Sequence, residues 1–222
     1  MSIALIPQPP NSDVGPESAA DAHAQRTRVR AAVRTALANP SVTRLVVEAA
    51  GADGRPDVHL SQVIATLMAD DRLDVEVAYV PDRPTPATRR YRLPHGDAAR
   101  DLAAHGTATE VPLIRDDAGT VLVGVARHLG AHADPLRGES YADNHRLFRG
   151  DVRGVRIEPL PQPPGVRARL ERPLWPGRWH TGRAVQTGGT NLVVERDGIL
   201  TDRTVKRSTF YRHHRDLRLV CR

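Results

Sequence analysis

A chain of 222 residues can hold one sizeable domain or two small ones. Hydrophobic residues make up 40% of it but aromatics only 4%, so a core must be built mostly from Val, Leu and Ala. No apolar run approaches the roughly 18 residues of a transmembrane helix. Met1–Pro10 lacks the basic and apolar regions of a secretory signal. The one cysteine, Cys221, excludes an internal disulfide, and together these features predict a cytoplasmic protein.

The net charge of +6 is unevenly spread. Residues 1–136 carry 14 basic and 17 acidic side chains, whereas residues 137–222 carry 18 basic and 9 acidic ones. The basic C-terminal half is therefore expected to meet anions: a lipid or anionic membrane surface first, nucleic acid second. Lys206 is the only lysine among 32 basic residues. That arginine bias fits a GC-rich coding genome and weakens the high isoelectric point as a pointer to nucleic acid.

Residues 1–16 hold four prolines and no periodicity after Ile6, and are expected to be a flexible leading segment. Residues 18–38 predict a helix, with Val29, Val33 and Leu37 on one face and Asn39-Pro40 as its stop. Leu45–Met68 then reads as strand, glycine loop and helix. Leu45, Val46 and Val47 form the strand, Gly51 and Gly54 flank Asp53, and Asp57 stands where an N-cap belongs. A glycine loop between a parallel strand and a helix N-terminus suits a phosphate, because backbone N–H groups and the helix dipole both favour an anion. An ordinary βα turn would have the same spacing.

Leu73–Val80 alternates with Leu73, Val75, Val77 and Tyr79 on one side and Asp74 and Glu76 on the other. This predicts an edge or half-covered strand. Pro84 and Pro86 bar a helix through Asp82–Arg92. Asp97–His105 predicts a short helix with Gly106 at C′. The order α, β, α, β, α implies a mostly parallel sheet with helices on its faces.

The texture changes near Thr109. Thr109–Arg115, the turn Asp116–Gly119 and Thr120–Ala126 predict a hairpin. From Asp151 onward strands and turns dominate. Ala184–Thr187 and Asn191–Glu195 read as two strands joined at Gly188-Gly189, Asp197-Gly198 as a hairpin turn, and Leu217–Val220 as a last strand. The fold class is therefore α/β, a small layer domain followed by a β-rich, sandwich-like domain, divided as 17–115 and 116–222.

The frame resembles the diacylglycerol kinase and sphingosine kinase family of lipid kinases. Their Gly-Gly-Asp-Gly-Thr corresponds to Gly51, Ala52, Asp53, Gly54 and Arg55 here, and the strand ending in Pro81 and the pair Leu93-Pro94 occupy the expected places. Gly-Thr-x-Asn is replaced by Arg83-Pro84-Thr85-Pro86, and the late Asp-Gly-Glu by Asp197, Gly198 and Ile199. The resemblance implies ATP and Mg²⁺ as cofactors, with Gly51, Asp53, Gly54 and Arg55 at the nucleotide and Asp53 at the metal. It also implies Asp197 as the general base that deprotonates a lipid hydroxyl. Phosphoryl transfer depends on positioning, and the cradle residues are replaced. The preferred expectation is therefore a divergent, non-canonical or catalytically inactive relative. The alternatives are a basic binding module for anionic membrane or nucleic acid, and a scaffold, for instance a homodimer, that keeps the kinase frame.

Three further features have bland readings beside functional ones. His128 and His132 stand four apart, but Gly130 interrupts them, and a surface loop is expected in place of a zinc site. Lys206–Arg215 interleaves charge with Phe210 and Tyr211, which stacks bases or seats the aromatics in a core. Trp175 and Trp179 either cover the β-domain core or present a contact surface.

Overall fold

The computed structural model describes residues 2–9, 19–49, 55–174, 177–201 and 203–221. It divides into two compact units, one formed by Met1–Val111 with Asp216–Arg222 and the other by Pro112–Arg215.

The first unit is the α/β layer. Its elements are β1 (Ser2–Pro7), α1 (Ala19–Leu37), β2 (Val42–Ala49), α2 (Pro56–Ala69), β3 (Glu76–Pro81), α3 (Pro86–Tyr91), α4 (Asp97–His105) and β4 (Ala108–Val111). The first three strands are parallel and adjacent, with α1 and α2 in the connections between them. Ser2–Pro7, expected within a flexible leader, is an ordered strand because Ile6 is buried beside β2. On α2, Leu60, Val63, Ile64 and Leu67 are all buried. Each such side chain contributes about 1.5–3 kcal/mol relative to exposure. Val46, Ala78 and Val80 meet Ala99 and Ala103 of α4 in a separate apolar cluster.

Two expectations change here. Leu217–Val220 leaves the C-terminal region and pairs with β3 in parallel and with β4 in antiparallel fashion. The expected continuous domain over 116–222 thus loses its last strand to the first sheet. The same pairing makes β3 an interior strand where an edge was expected. Its acidic side is covered by charge rather than left to water. Arg44, 2% exposed, donates to Glu76 at 2.7 and 2.9 Å and to the carbonyls of Ala103 and Gly106 at 2.7 Å each. Arg218 reaches the other oxygen of Glu76 at 2.9 Å. The alternation Asp74/Glu76 looked like a solvent face: Asp74 is exposed, paired with Arg72, whereas ion pairing allows Glu76 inside.

The predicted strand Thr109–Arg115 is split at Pro112. Its first part is β4, and its second part, β5 (Ile114–Asp116), opens the β-rich unit. There follow β6 (Val121–Leu122), β7 (Ala126–Gly130), β8 (Leu136–Ala142), β9 (His145–Val152), β10 (Gly154–Pro159) and β11 (Val166–Glu171). Then come β12 (His180–Gly182), β13 (Ala184–Arg196), β14 (Ile199–Leu200), β15 (Val205–Arg212) and, back in the first unit, β16 (Leu217–Val220). The main path of the second sheet is β12-β11-β10-β7-β13-β15-β5-β6, with β14 and β8 also pairing β13, and β9 pairing β8.

The two strands expected around Gly188-Gly189 are one bent strand, β13. Its first half pairs with β8 and its second half with β7, and the register with β15 shifts between Gly188 and Leu192. Close approach explains the glycines. A Cβ on Gly138 would lie within 2.0 Å of the Gly188 carbonyl oxygen. The core of this unit gathers Ile114, Leu122, Leu136, Ile157, Leu192 and Phe210.

Candidate functional site

Gly51, Asp53 and Gly54, including Asp53 as the expected metal residue, lie outside the described residues. Arg55 is placed next to them, at the N-cap of α2, and makes no side-chain cap bond. Asp57, expected as that N-cap, is instead inside the first turn. Pro56 takes the first helical position, where a missing N–H costs nothing.

Asp57 has a different task. It is 5% exposed, and its carboxylate accepts the Tyr79 hydroxyl at 2.9 Å and the Ala87 amide at 2.9 Å. Ala87 is in the first turn of α3, which begins at Pro86. Thr85 and Thr88 close the remaining donors as a reciprocal capping box. The Thr88 amide donates to the Thr85 hydroxyl at 3.1 Å, and the Thr85 amide to the Thr88 hydroxyl at 2.8 Å. Burial pushes the Asp57 carboxyl above its ordinary range, against its hydrogen bonds from Thr85, Ala87 and Tyr79 and the charge of Arg89. No helix runs through the proline pair, as expected, but one starts at its second member: Thr85-Pro86 is an N-cap followed by proline at N1.

The consequence for an anion is direct. At the start of α3 the first residue has no N–H, and the amides of Ala87 and Thr88 are engaged by Asp57 and Thr85. The start of α3 therefore offers an anion neither of these two amides. Among the described residues no group of three His, Cys, Asp or Glu could hold a metal ion.

Asp197, the expected general base, is in the β-rich unit at the turn between β13 and β14. It has φ +47°, and Gly198 has φ +86°. Its Oδ1 accepts the amides of Gly124 at 2.9 Å and Val125 at 2.8 Å, and Oδ2 faces the Val123 amide at 3.5 Å. Its own amide donates to the Val125 carbonyl at 2.8 Å. The side chain clasps the 123–125 loop to the hairpin, and much of its acceptor capacity is directed at backbone.

His128 corrects the surface-loop expectation. It is in β7 and fully buried. Thr187 donates its hydroxyl to Ser140 at 2.8 Å, so the 2.7 Å contact between His128 Nδ1 and the Thr187 oxygen is an Nδ1–H donation. Ser140 passes its own proton to the Gln186 carbonyl at 3.0 Å. Burial, with help from Arg196, lowers the imidazole pKa to about 3. His132 lies apart, exposed in the turn that follows β7. Phe210 is in the core beside His128, with ring centroids 5.5 Å apart, which removes it from the base-stacking reading of 206–215. Trp175 is outside the described residues. Trp179 is half-buried under Arg167 and Arg169, at 4.1 and 4.5 Å from its ring centroid.

One feature carried no motif. A groove of about 980 Å³ lies on the β-rich unit, with Arg127, Arg153, Arg156, Arg169 and Arg172 in its lining. Its lining joins β7, β10, β11 and β13 with the turns beside them, so it shows only once the strands are aligned.

No protein-family model and no curated protein matches the chain. Solved structures do. An NAD kinase from Archaeoglobus fulgidus, in complex with ATP, aligns over 99% of this chain and 93% of its own with a TM-score of 0.58 at 10% identity. A diacylglycerol kinase from Bacillus anthracis str. Sterne aligns over 99% and 96% with a TM-score of 0.61 at 9% identity. The chain has the two-part fold of these kinases, and at such identity the likeness concerns the fold alone. Among the described residues no helix is long and apolar enough to cross a membrane.

Proposed function

We propose that this chain is a divergent relative of the diacylglycerol kinase fold that no longer transfers phosphoryl groups, and that it acts by binding an anionic partner through its β-rich unit. The observation that carries the reading is the capture of polar groups at the start of α3, where Arg83-Pro84-Thr85-Pro86 stands in place of the family's Gly-Thr-x-Asn, and at Asp197. Asp57 and Thr85 occupy the amides at the start of α3, and backbone amides occupy Asp197. A phosphoryl-transfer site needs such donors and carboxylates turned toward the reacting groups, since positioning supplies most of its catalysis. Replacement of the family's cradle residues by Ala52, Arg55 and Arg83-Pro84-Thr85-Pro86 supports the same reading.

The test is a direct assay. Purified protein is incubated with Mg²⁺–ATP and either diacylglycerol in mixed micelles or NAD, and phosphorylated product is measured. The reading expects no product above that of Asp197→Asn. Turnover that Asp197→Asn abolishes would instead establish a lipid or nucleotide kinase that depends on Asp197.

A further inference from the structure

The pairing register of the β-rich sheet aligns like charges. Arg156 of β10 stands directly opposite Arg127 of β7 on one side and Arg169 of β11 on the other. Their strand neighbours Val155, Ile157, Ala126, His128 and Ala168 are buried. By the alternation of a strand, the three arginines therefore share the outer face. Directly opposed like charges destabilise a sheet, so such a row calls for compensation.

Compensation is partial. Arg127 lies 2.9 Å from Glu171 and 3.9 Å from Glu195. Arg156 lies 2.8 Å from Glu158, but that buried carboxylate is shared with Arg167 at 2.6 Å. Arg169 rests on Trp179, which offers a π face and no negative charge. Arg153 and Arg172, exposed on the same groove, have no carboxylate partner among the described residues. Asp134 and Glu171 are the acidic side chains of the lining, against five arginines. The surplus charge surrounds a concave volume of about 980 Å³.

Two leucines are exposed beside this charge. Leu200, 50% exposed, lines the groove, and Leu174, 86% exposed, follows the lining residue Pro173. Among the described residues His132 is the one aromatic ring of the lining, and Trp179 is covered by Arg167 and Arg169. A nucleic acid would be held by rings as well as charge. Arginine forks beside exposed leucines suit a phosphate next to hydrocarbon.

We infer that the Arg127–Arg156–Arg169 row and its groove are a docking site for the phosphate headgroups of an anionic lipid bilayer, with Leu174 and Leu200 entering the acyl boundary. The inference rests on the reading that the β-rich unit binds an anionic partner, and it names the surface and the lipid class.

Co-sedimentation of the full chain with phosphatidylcholine vesicles containing phosphatidic acid, and with pure phosphatidylcholine vesicles, tests it. The wild type is expected to bind the first and not the second. Arg153→Glu with Arg172→Glu should weaken that binding by about tenfold or more, at an unchanged thermal midpoint. Leu174→Asp, which breaks no ion pair, should weaken it independently. Wild-type binding that both variants retain would overturn this site and leave the anionic-partner reading standing. No wild-type binding to acidic vesicles would overturn both. Displacement of bound protein from vesicles by an equal phosphate concentration of single-stranded oligonucleotide would overturn the lipid assignment.

Discussion

The N-terminal ends of the helices in the α/β unit and the outer face of the β-rich sheet treat charge in opposite ways. In the first, polar side chains have internal partners: Asp57 takes Tyr79 and Ala87, and Thr85 takes Thr88. In the second, five arginines share few carboxylates around an open groove. Buried polar groups must be satisfied, so the first pattern is what a folded interior requires. A surplus of one sign on a concave face stabilises nothing by itself and raises the local concentration of counter-ions. The fold is that of kinases, and among the described residues the surplus charge lies on the outer face of the β-rich sheet.

Four predictions sharpen or break this contrast. The largest effect is expected in the core on which the arginine face is mounted. Phe210→Ala should lower stability by about 3–5 kcal/mol in urea unfolding, and a loss below about 1 kcal/mol would mean the ring is not the keystone described. Next, Asp197→Ala should cost about 2–3 kcal/mol, because it orphans the Gly124 and Val125 amides and places alanine at positive φ. Asp197→Asn should cost less, since asparagine keeps an acceptor and tolerates that backbone. If both variants match the wild type in stability, the clasp is not structural and the residue is available for chemistry.

The third effect is in acid. His128 titrates near 3 when folded, against an ordinary 6.5. The unfolded state binds the proton first, so the contribution is complete above about pH 6.5 and is lost as pH falls toward 3, at up to about 1.4 kcal/mol per pH unit. His59, lowered by burial, acts in the same direction. Asp57, raised by burial, acts oppositely: its contribution is present in acid and lost as pH rises through its folded value. His128→Asn keeps a donor to Thr187 and should flatten the slope of midpoint against pH between 6 and 4. An unchanged slope would contradict the buried neutral imidazole. The smallest effect is on the groove itself. Arg153→Glu with Arg172→Glu should change stability by no more than about 0.5 kcal/mol while vesicle binding collapses.

Much of the frame was legible in the chain. The helix near 18–38, the strand at Leu45–Val47, the helix at Asp97–His105 and the last strand at Leu217–Val220 all follow from period and punctuation, which are local properties. What local reading missed is non-local. That Leu217–Val220 returns to β3 depends on a partner some 140 positions earlier, with Leu219 opposite Val77. The burial of His128 depends on Thr187 and Ser140, which no spacing rule connects to it. Pro84 and Pro86 do stop any helix from running through them, but the helix that Thr85-Pro86 starts was missed, although a proline that breaks a helix interior also begins one. The arginine row is invisible without register, because Arg127, Arg156 and Arg169 meet only through strand pairing.

The central claim is tested most directly by the thermal unfolding midpoint with and without millimolar Mg²⁺–ATP. A ligand at about 100 times its dissociation constant would stabilise the fold by roughly 2.7 kcal/mol, an effect of several degrees. The account predicts no shift, because the helix-end donors at α3 are already engaged by Asp57 and Thr85. A clear upward shift that Asp53→Ala removes would contradict it and return the glycine loop to service as a nucleotide site.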